Sequence, residues 1–262
     1  MEITMGSSDS VWKQPGAFSL LVGILTKPRT TMPALGRNER GWWAVPALLT
    51  IVLIVFTVVA YSYADCQYVY RLELEHYRSA ANQAARPPTA PTPQPITMAI
   101  RAAGRTVAQL VSWVAWGGAL YLLVVLLGEN ETSFGAVWRV VLWASMPYAL
   151  RSLIQSVTMF LMKKPIYNQA LSGLVVDRTP PPLMTFNYVI PTRQQELLAS
   201  ILERLDIYLL WHLALVVIGV TSLTRFSRRK AGAVTLGIWL IFAVVTTLPH
   251  FFPGTFARFR YF

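Results

Sequence analysis

The chain of 262 residues is 54% hydrophobic and only 13% charged. Soluble globular proteins carry about 25% charged residues, so this composition and a mean hydropathy of +0.45 indicate an integral membrane protein and exclude a disordered chain. The single cysteine, Cys66, excludes an intramolecular disulfide and a multi-cysteine metal site. The net charge of +11 points first to membrane orientation and anionic lipid headgroups, ahead of nucleic acid.

Residues 1–41 form a tail with one apolar run, 17–25, which ends before Lys27. The run is too short to cross a membrane, which takes about 20 apolar residues in a helix. Its large apolar side chains recur at helical spacing. Two interpretations follow: a short helix that lies in the membrane interface, or a partly ordered tail.

Five later segments have the length and composition of membrane-spanning helices. They cover residues 42–64, 106–128, 135–162, 207–224 and 233–252. The third contains Arg139 and Arg151, and the fourth contains His212. The sequence therefore predicts an all-α integral membrane protein, with a five-helix domain over 42–252, an interfacial N-terminal segment and a C-terminal tail, 253–262.

Two long connections separate the spans. After an extension of the first helix over 68–78, the first connection contains RPPTAPTPQP, residues 86–95. This proline content predicts a semi-rigid spacer, and a ligand for a proline-recognition domain is the alternative. The second connection, the outer loop 163–206, has leucine and isoleucine at helical spacing over 197–205. That pattern predicts a helix lying against the membrane or the bundle.

Basic residues predict the orientation of the chain. The densest cluster occupies the short connection between the fourth and fifth spans: Arg225, Arg228, Arg229 and Lys230. Cytoplasmic loops are enriched in Lys and Arg, so we expect the N-terminus in the cytoplasm and the C-terminus outside. The cluster is also a candidate for contacts with lipid headgroups.

Catalytic signatures are missing from the sequence. It contains no H-E-x-x-H, no G-x-S-x-G and no P-loop. His76, His212 and His250 are scattered, without the neighbouring carboxylates that a metal pattern requires. No basic patch interleaved with aromatic residues suggests a nucleic-acid surface. We therefore expect a non-enzymatic protein with no cofactor, no metal and no nucleic-acid partner.

Arg151 is the most informative charged residue in the spans. It lies about 24 Å along the third predicted helix at 1.5 Å per residue and follows Pro147, which predicts a kink. An ionisable side chain inside a bilayer is costly and usually pairs or faces the bundle. Arg151 either pairs with Asp206, or less favourably Glu203, or extends its guanidinium to the outer headgroups.

Three stretches carry a resemblance to a known family. They are ILTKPRTTMPAL (24–35), LLGENETSFGAVWRVVLWASMPYAL (126–150) and ERLDIYLLWHLALVVIGVTSLTRFSRRKA (203–231). In this order they resemble the Yip family, the Ypt/Rab-interacting membrane proteins with five spans, in its bacterial form. The resemblance implies a non-enzymatic membrane organiser in the bacterial inner membrane, with its N-terminus inside and its C-terminus outside.

The resemblance also guides the choice of partners. Eukaryotic relatives bind small GTPases, but their acidic, tyrosine-containing tail motif is missing here, so a small GTPase is not expected. The first functional hypothesis is a scaffold or accessory subunit that binds lipids and other membrane proteins, such as an ABC-type transporter or a second copy of itself. The alternative is a permease-like protein with a polar path near Arg151 and Asp206.

Overall fold

The computed structural model describes residues 16–37, 42–79, 88–128, 131–167, 170, 171, 174 and 192–247. The helices are α1 (Ala17–Thr26), α2 (Pro28–Arg37), α3 (Ala44–Ser79), α4 (Pro95–Leu126), α5 (Phe134–Ala144), α6 (Met146–Met162), α7 (Arg193–Leu202), α8 (Ile207–Leu223) and α9 (Arg228–Thr247). No strand occurs in these ranges. The predicted tail 253–262, His250 and most of the loop from 168 to 191 lie outside the described residues.

The N-terminal segment forms a helical hairpin that packs into the bundle. Proline suits the first turn of a helix, where its missing N–H is not needed, and α2 begins at Pro28 directly after α1 ends. The apolar side chains of the hairpin that are at most 1% exposed are Leu20, Ile24, Met32 and Leu35. Arg139 of α5 donates a 3.1 Å hydrogen bond from Nε to the carbonyl of Leu35. The described part of this segment is therefore helical and packed against the bundle, and its position in the membrane interface stays a prediction.

Three helices, α3, α4 and α9, are long and apolar enough to cross a membrane. At 1.5 Å per residue, α3 extends for about 54 Å and α4 for about 48 Å, well beyond a hydrocarbon layer of about 30 Å. The predicted extension of the first helix over 68–78 is present. Helix α4 begins at Pro95 rather than at the predicted residue 106, because Pro95 ends the proline-rich linker and starts the helix.

The third predicted span, 135–162, is two helices rather than one. Helix α5 ends at Ala144 and α6 begins at Met146, with Ser145 between them. Pro147 has no N–H to donate to the preceding turn, and the N–H of Tyr148 donates to Ser145 at 3.0 Å. The predicted kink at Pro147 is thus a break in the helix.

The fourth predicted span, 207–224, corresponds to α8. Helices α7 and α8 meet at an angle of 53°, and together they have the length and hydropathy of one bent span. The described residues therefore contain three candidate spans, or four when this pair is counted as one. The prediction of five spans is not confirmed.

The part of α3 beyond Ala64 is fastened to the chain that follows α6. Tyr167 Oη donates a 3.0 Å hydrogen bond to Asp65 Oδ1. Burial and this hydrogen bond raise the pKa of Tyr167 above its ordinary value. Arg71 donates to the carbonyl of Lys163, and the ammonium of Lys164 lies 5.6 Å from the ring centroid of Tyr68. These contacts hold the ends of α3 and α6 together.

Helix α5 lies at the centre of the bundle, between α2, α4 and α8. Small residues allow close contact with it, as expected for membrane helices. A Cβ at Gly219 would lie 2.2 Å from Val140 Cγ1, and one at Gly117 would lie 3.1 Å from Trp138. Gly219 and Gly117 therefore pack inside the chain. Open space surrounds Gly118 and Gly237.

Candidate functional site: a polar cavity at one end of the bundle

Helix α4 carries a polar stripe on one face. Arg105, Gln109 and Ser112 recur at spacings of four and three residues, which brings side chains to one side of a helix. Trp116 follows one turn later on the same side. All four residues line a single cavity.

Helix α6 presents a matching stripe to that cavity: Tyr148, Arg151, Ser152 and Gln155. The spacing again follows the helical repeat. On a neighbouring face, α6 packs along α3, where Thr57 Oγ1 and Ser156 Oγ lie 2.9 Å apart. This packing fixes the rotation of α6 and hence the direction of its polar stripe.

The turn between α7 and α8 supplies the third wall. Arg204 donates from Nε to the carbonyl of Ser200 at 3.2 Å and from Nη2 to the carbonyl of Thr246 at 3.4 Å. These bonds hold the guanidinium between α7 and α9. Glu203, beside it in the chain, lines the same cavity.

The cavity between these helices has a volume of about 700 Å³. Its polar lining consists of Thr57, Arg105, Gln109, Ser112, Tyr148, Arg151, Ser152, Gln155, Ser200, Glu203, Arg204, His212 and Thr246. Farther along α4 and α8 from the cavity, the side chains of Leu120 and Leu215 are apolar and at most 1% exposed. The cavity therefore ends within the bundle, where the apolar core begins.

Arg151 and Asp206, which the sequence proposed as partners, lie next to this cavity and in contact. Arg151 Nη1 is 2.8 Å from Asp206 Oδ2, and the two side chains are 15% and 11% exposed. The other carboxylate oxygen of Asp206 accepts the N–H of Leu209 at 2.7 Å, so Asp206 also caps α8. One carboxylate thus begins a helix and neutralises an arginine.

His212 lies at the base of the cavity and is 5% exposed. Its Nδ1 lies 2.8 Å from the carbonyl of Ala144, at the end of α5 where the helix breaks. The carbonyl requires a donor, so the Nδ1–H tautomer satisfies it. The imidazole also contacts Trp116 and Tyr148, with ring centroids 5.4 Å and 5.1 Å away. His212 therefore joins α8 to the break between α5 and α6.

The basic cluster at 225–230 lies at the opposite end of the bundle. Arg225 forms an exposed ion pair with Glu131 at 3.4 Å. Lys230 Nζ lies 3.9 Å from the ring centroid of Phe226 and 3.4 Å from the carbonyl of Leu127. Arg228 and Arg29 of the N-terminal hairpin line a second cavity of about 480 Å³. Arg229 is exposed, as are Arg228 and Lys230 on either side of it. Contacts of this cluster with lipid headgroups stay a prediction.

Sequence reasoning identified Arg151 and Asp206 but missed most of the cavity lining. The predicted second span begins at residue 106 and so omits Arg105, and its composition alone does not connect Gln109 and Ser112 with Arg105. The signal was present as two polar stripes at helical spacing, on α4 and α6. In the described residues, no group of three or more histidine, cysteine, aspartate or glutamate side chains could hold a metal ion.

Apolar helices long enough to span a bilayer and a polar cavity at one end define a polytopic membrane protein of the helical class. The Yip1 domain family matches residues 22–248, nearly the whole of the chain described above. The chain therefore belongs to the Yip1 domain family. No curated protein and no solved structure matches it.

Proposed function

We propose that this Yip1 domain protein is a non-enzymatic membrane scaffold or accessory subunit that binds other integral membrane proteins. The observation that supports this proposal is an uncovered face of α4. Val107, Val111 and Val114 are 59 to 61% exposed, and they share this face with Gly104 and Gly118. Open space surrounds both glycines.

Such a face suits a second helix. Membrane helices associate through close packing at small residues, because lipid tails give apolar surfaces no hydrophobic reason to pair. Glycine and valine together leave a shallow groove along α4 that a partner helix can fill. The proposed partner is a membrane transport or trafficking protein such as an ABC-type transporter, with self-association as the other arrangement. The proposed location is the bacterial inner membrane, with the N-terminus in the cytoplasm.

The test is co-purification of the full chain in mild detergent, comparing two tryptophan variants at equally exposed positions. Val111→Trp fills the α4 groove, and Ile241→Trp alters α9, where the residue is also 61% exposed. We expect a stoichiometric complex that survives Ile241→Trp and is lost in Val111→Trp, with unchanged thermal unfolding. A monomer without any partner, or a complex insensitive to both variants, would contradict the proposal.

The polar cavity favours a second candidate, a permease-like protein with a path near Arg151 and Asp206. The apolar core below His212 closes that path in this structure, which is why we rank it second. Flux of solutes in reconstituted vesicles separates the two functions. If Arg151→Leu left complex formation intact but abolished flux, the permease-like function would replace the scaffold.

A further inference from the structure

The cavity at the end of α4 and α6 carries more positive than negative charge. Three arginines line it, Arg105, Arg151 and Arg204. Asp206 pairs with Arg151 at 2.8 Å, and Glu203 is the one carboxylate among the lining residues. Among the described residues, Arg105 forms no ion pair, and the titratable side chains that act on it are Tyr61 and another cation, Arg101. Three arginines against the carboxylates of Asp206 and Glu203 leave an excess of one positive charge at the cavity.

The position of Arg105 along α4 indicates what could neutralise this excess of positive charge. Arg105 lies about 31 Å along α4 from its other end at Leu126, at 1.5 Å per residue. That distance is close to the thickness of the hydrocarbon layer, about 30 Å. With Leu126 at one boundary of that layer, Arg105 would lie at the level of the headgroups of the other leaflet. Arginines at that level lie within reach of anionic headgroups, and an anion supplied by a ligand would neutralise their excess charge.

The donors in the cavity suit oxygen-rich anions. Guanidinium groups bind phosphate through two parallel hydrogen bonds. The amides of Gln109 and Gln155 and the hydroxyl of Ser112 add neutral donors beside the arginines. We infer that the cavity binds a phosphate-bearing anion, with Arg105 and Arg204 as its charged contacts.

Cavity size and position indicate what carries the phosphate. Ligand pockets for small molecules are typically about 300–1,000 Å³, so 700 Å³ admits an organic phosphate rather than the bare ion alone. Ala108 and Ser112 line the cavity and are exposed, and their neighbours Val107 and Val111 face outward. The phosphate group can thus come from an anionic phospholipid headgroup or from a soluble phosphate ester. The inference does not depend on the protein partner proposed above.

The experiment measures binding to the full chain, delipidated in a neutral, phosphate-free detergent. One arm adds phosphatidylglycerol, and the other adds glycerol 3-phosphate, with binding followed by the shift in thermal unfolding and by calorimetry. The variants are Arg105→Gln, Arg105→Lys and the double variant Arg105→Gln, Arg204→Gln. Arg78→Gln is the matched control, because it removes the same charge from an exposed position on the far part of α3.

We expect at least one probe to bind, and its Kd to rise about tenfold or more in Arg105→Gln, the usual effect of losing one charged hydrogen-bonding group. Arg105→Lys should recover part of the affinity, the double variant should bind weakest, and Arg78→Gln should match the unchanged protein. Binding of the lipid alone assigns the phosphate to a headgroup, and tighter binding of glycerol 3-phosphate assigns it to a soluble ester. Failure of both probes to bind, or equal affinities in all variants, would overturn the inference. Unfolding without ligand reports whether each variant is folded.

Discussion

Arg151 links the middle of α6 to the first turn of α8 through the carboxylate of Asp206. Since both side chains are mostly buried, removing either one deprives the other of this ion pair in a site with little water. We expect Arg151→Gln and Asp206→Asn each to lower the free energy of unfolding by about 3–5 kcal/mol. The double variant should lose less than the sum of the two. Asparagine retains the helix-capping oxygen, so a double-mutant cycle in mild detergent isolates the pair.

The exposed pair between Arg225 and Glu131 is the control for this cycle. Its side chains are 82% and 87% exposed, and such surface pairs contribute little because water and salt screen them. Arg225→Gln and Glu131→Gln, which remove the same charges, should leave the unfolding transition unchanged. If the Arg151 and Asp206 variants were strictly additive, the two residues would be neighbours without energetic coupling.

His212 supplies a hydrogen bond at the place where α5 and α6 separate. Leucine at this position would leave the carbonyl of Ala144 buried without that donor. We expect His212→Leu to lower the free energy of unfolding by about 1–3 kcal/mol, the cost of an unsatisfied buried polar group. Thermal unfolding in detergent measures the change. Leu210→Ala, at a position 66% exposed on the same helix, should have a much smaller effect, and equal effects would contradict the role of His212.

At the scale of helices, the contact between α5 and α8 depends on one missing side chain. A Cβ at Gly219 would come within 2.2 Å of Val140 Cγ1, closer than any real contact allows. Gly219→Ala must therefore push the two helices apart, and overpacking of this kind costs about 1–3 kcal/mol. The measurement is again the unfolding transition of the purified chain.

Gly237 on α9 provides the matched substitution. No atom lies within 4 Å of a Cβ built there, so alanine meets no neighbour. Because alanine favours a helix by up to about 1 kcal/mol over glycine, Gly237→Ala should leave stability unchanged or raise it. A loss at Gly237 equal to that at Gly219 would show that helix contact is not the cause.

The helices were predictable where a local feature of the sequence, such as apolar length or a proline, determines where a helix lies or breaks. Apolar length located α3, α4, α8 and α9, and Pro147 marked the place where the third segment is interrupted. Local rules could not say that α1 and α2 pack into the bundle. Their apolar residues suit a membrane interface and a protein core equally well, and only the neighbouring helices distinguish the two. The extra turns of α4 escaped prediction because Arg101 and Arg105 ended the apolar window, although charge does not end a helix.

The candidate site was predictable only in its most unusual member. An arginine inside an apolar segment is conspicuous, so Arg151 and a carboxylate at the next helix start could be proposed together. Gln109, Gln155 and Arg204 are inconspicuous in the sequence. They form part of a site only because the fold brings them to one cavity. Their helices are distant in the sequence, and a single chain without packing information does not show that they face one cavity.

For the molecule as a whole, the two ends of the bundle are both basic but differ in shape. Both carry basic residues, but at one end they lie around an open cavity near the long extensions of α3 and α4. At the other end, Arg225, Arg228 and Arg229 lie exposed on a short turn. Short loops rich in arginine and lysine stay in the cytoplasm. The cavity would then open toward the outer leaflet.

The single native cysteine makes this orientation measurable. In a Cys66→Ser background, Ser227→Cys reports on the turn between α8 and α9, and Thr92→Cys reports on the linker before α4; both positions are exposed. We expect a membrane-impermeant maleimide added to intact cells to label the Thr92→Cys variant, and the Ser227→Cys variant only after lysis. The opposite pattern would place the N-terminus outside. It would also turn the arginine-lined cavity toward the cytoplasmic leaflet, where an anionic lipid and a soluble phosphate ester could both reach Arg105.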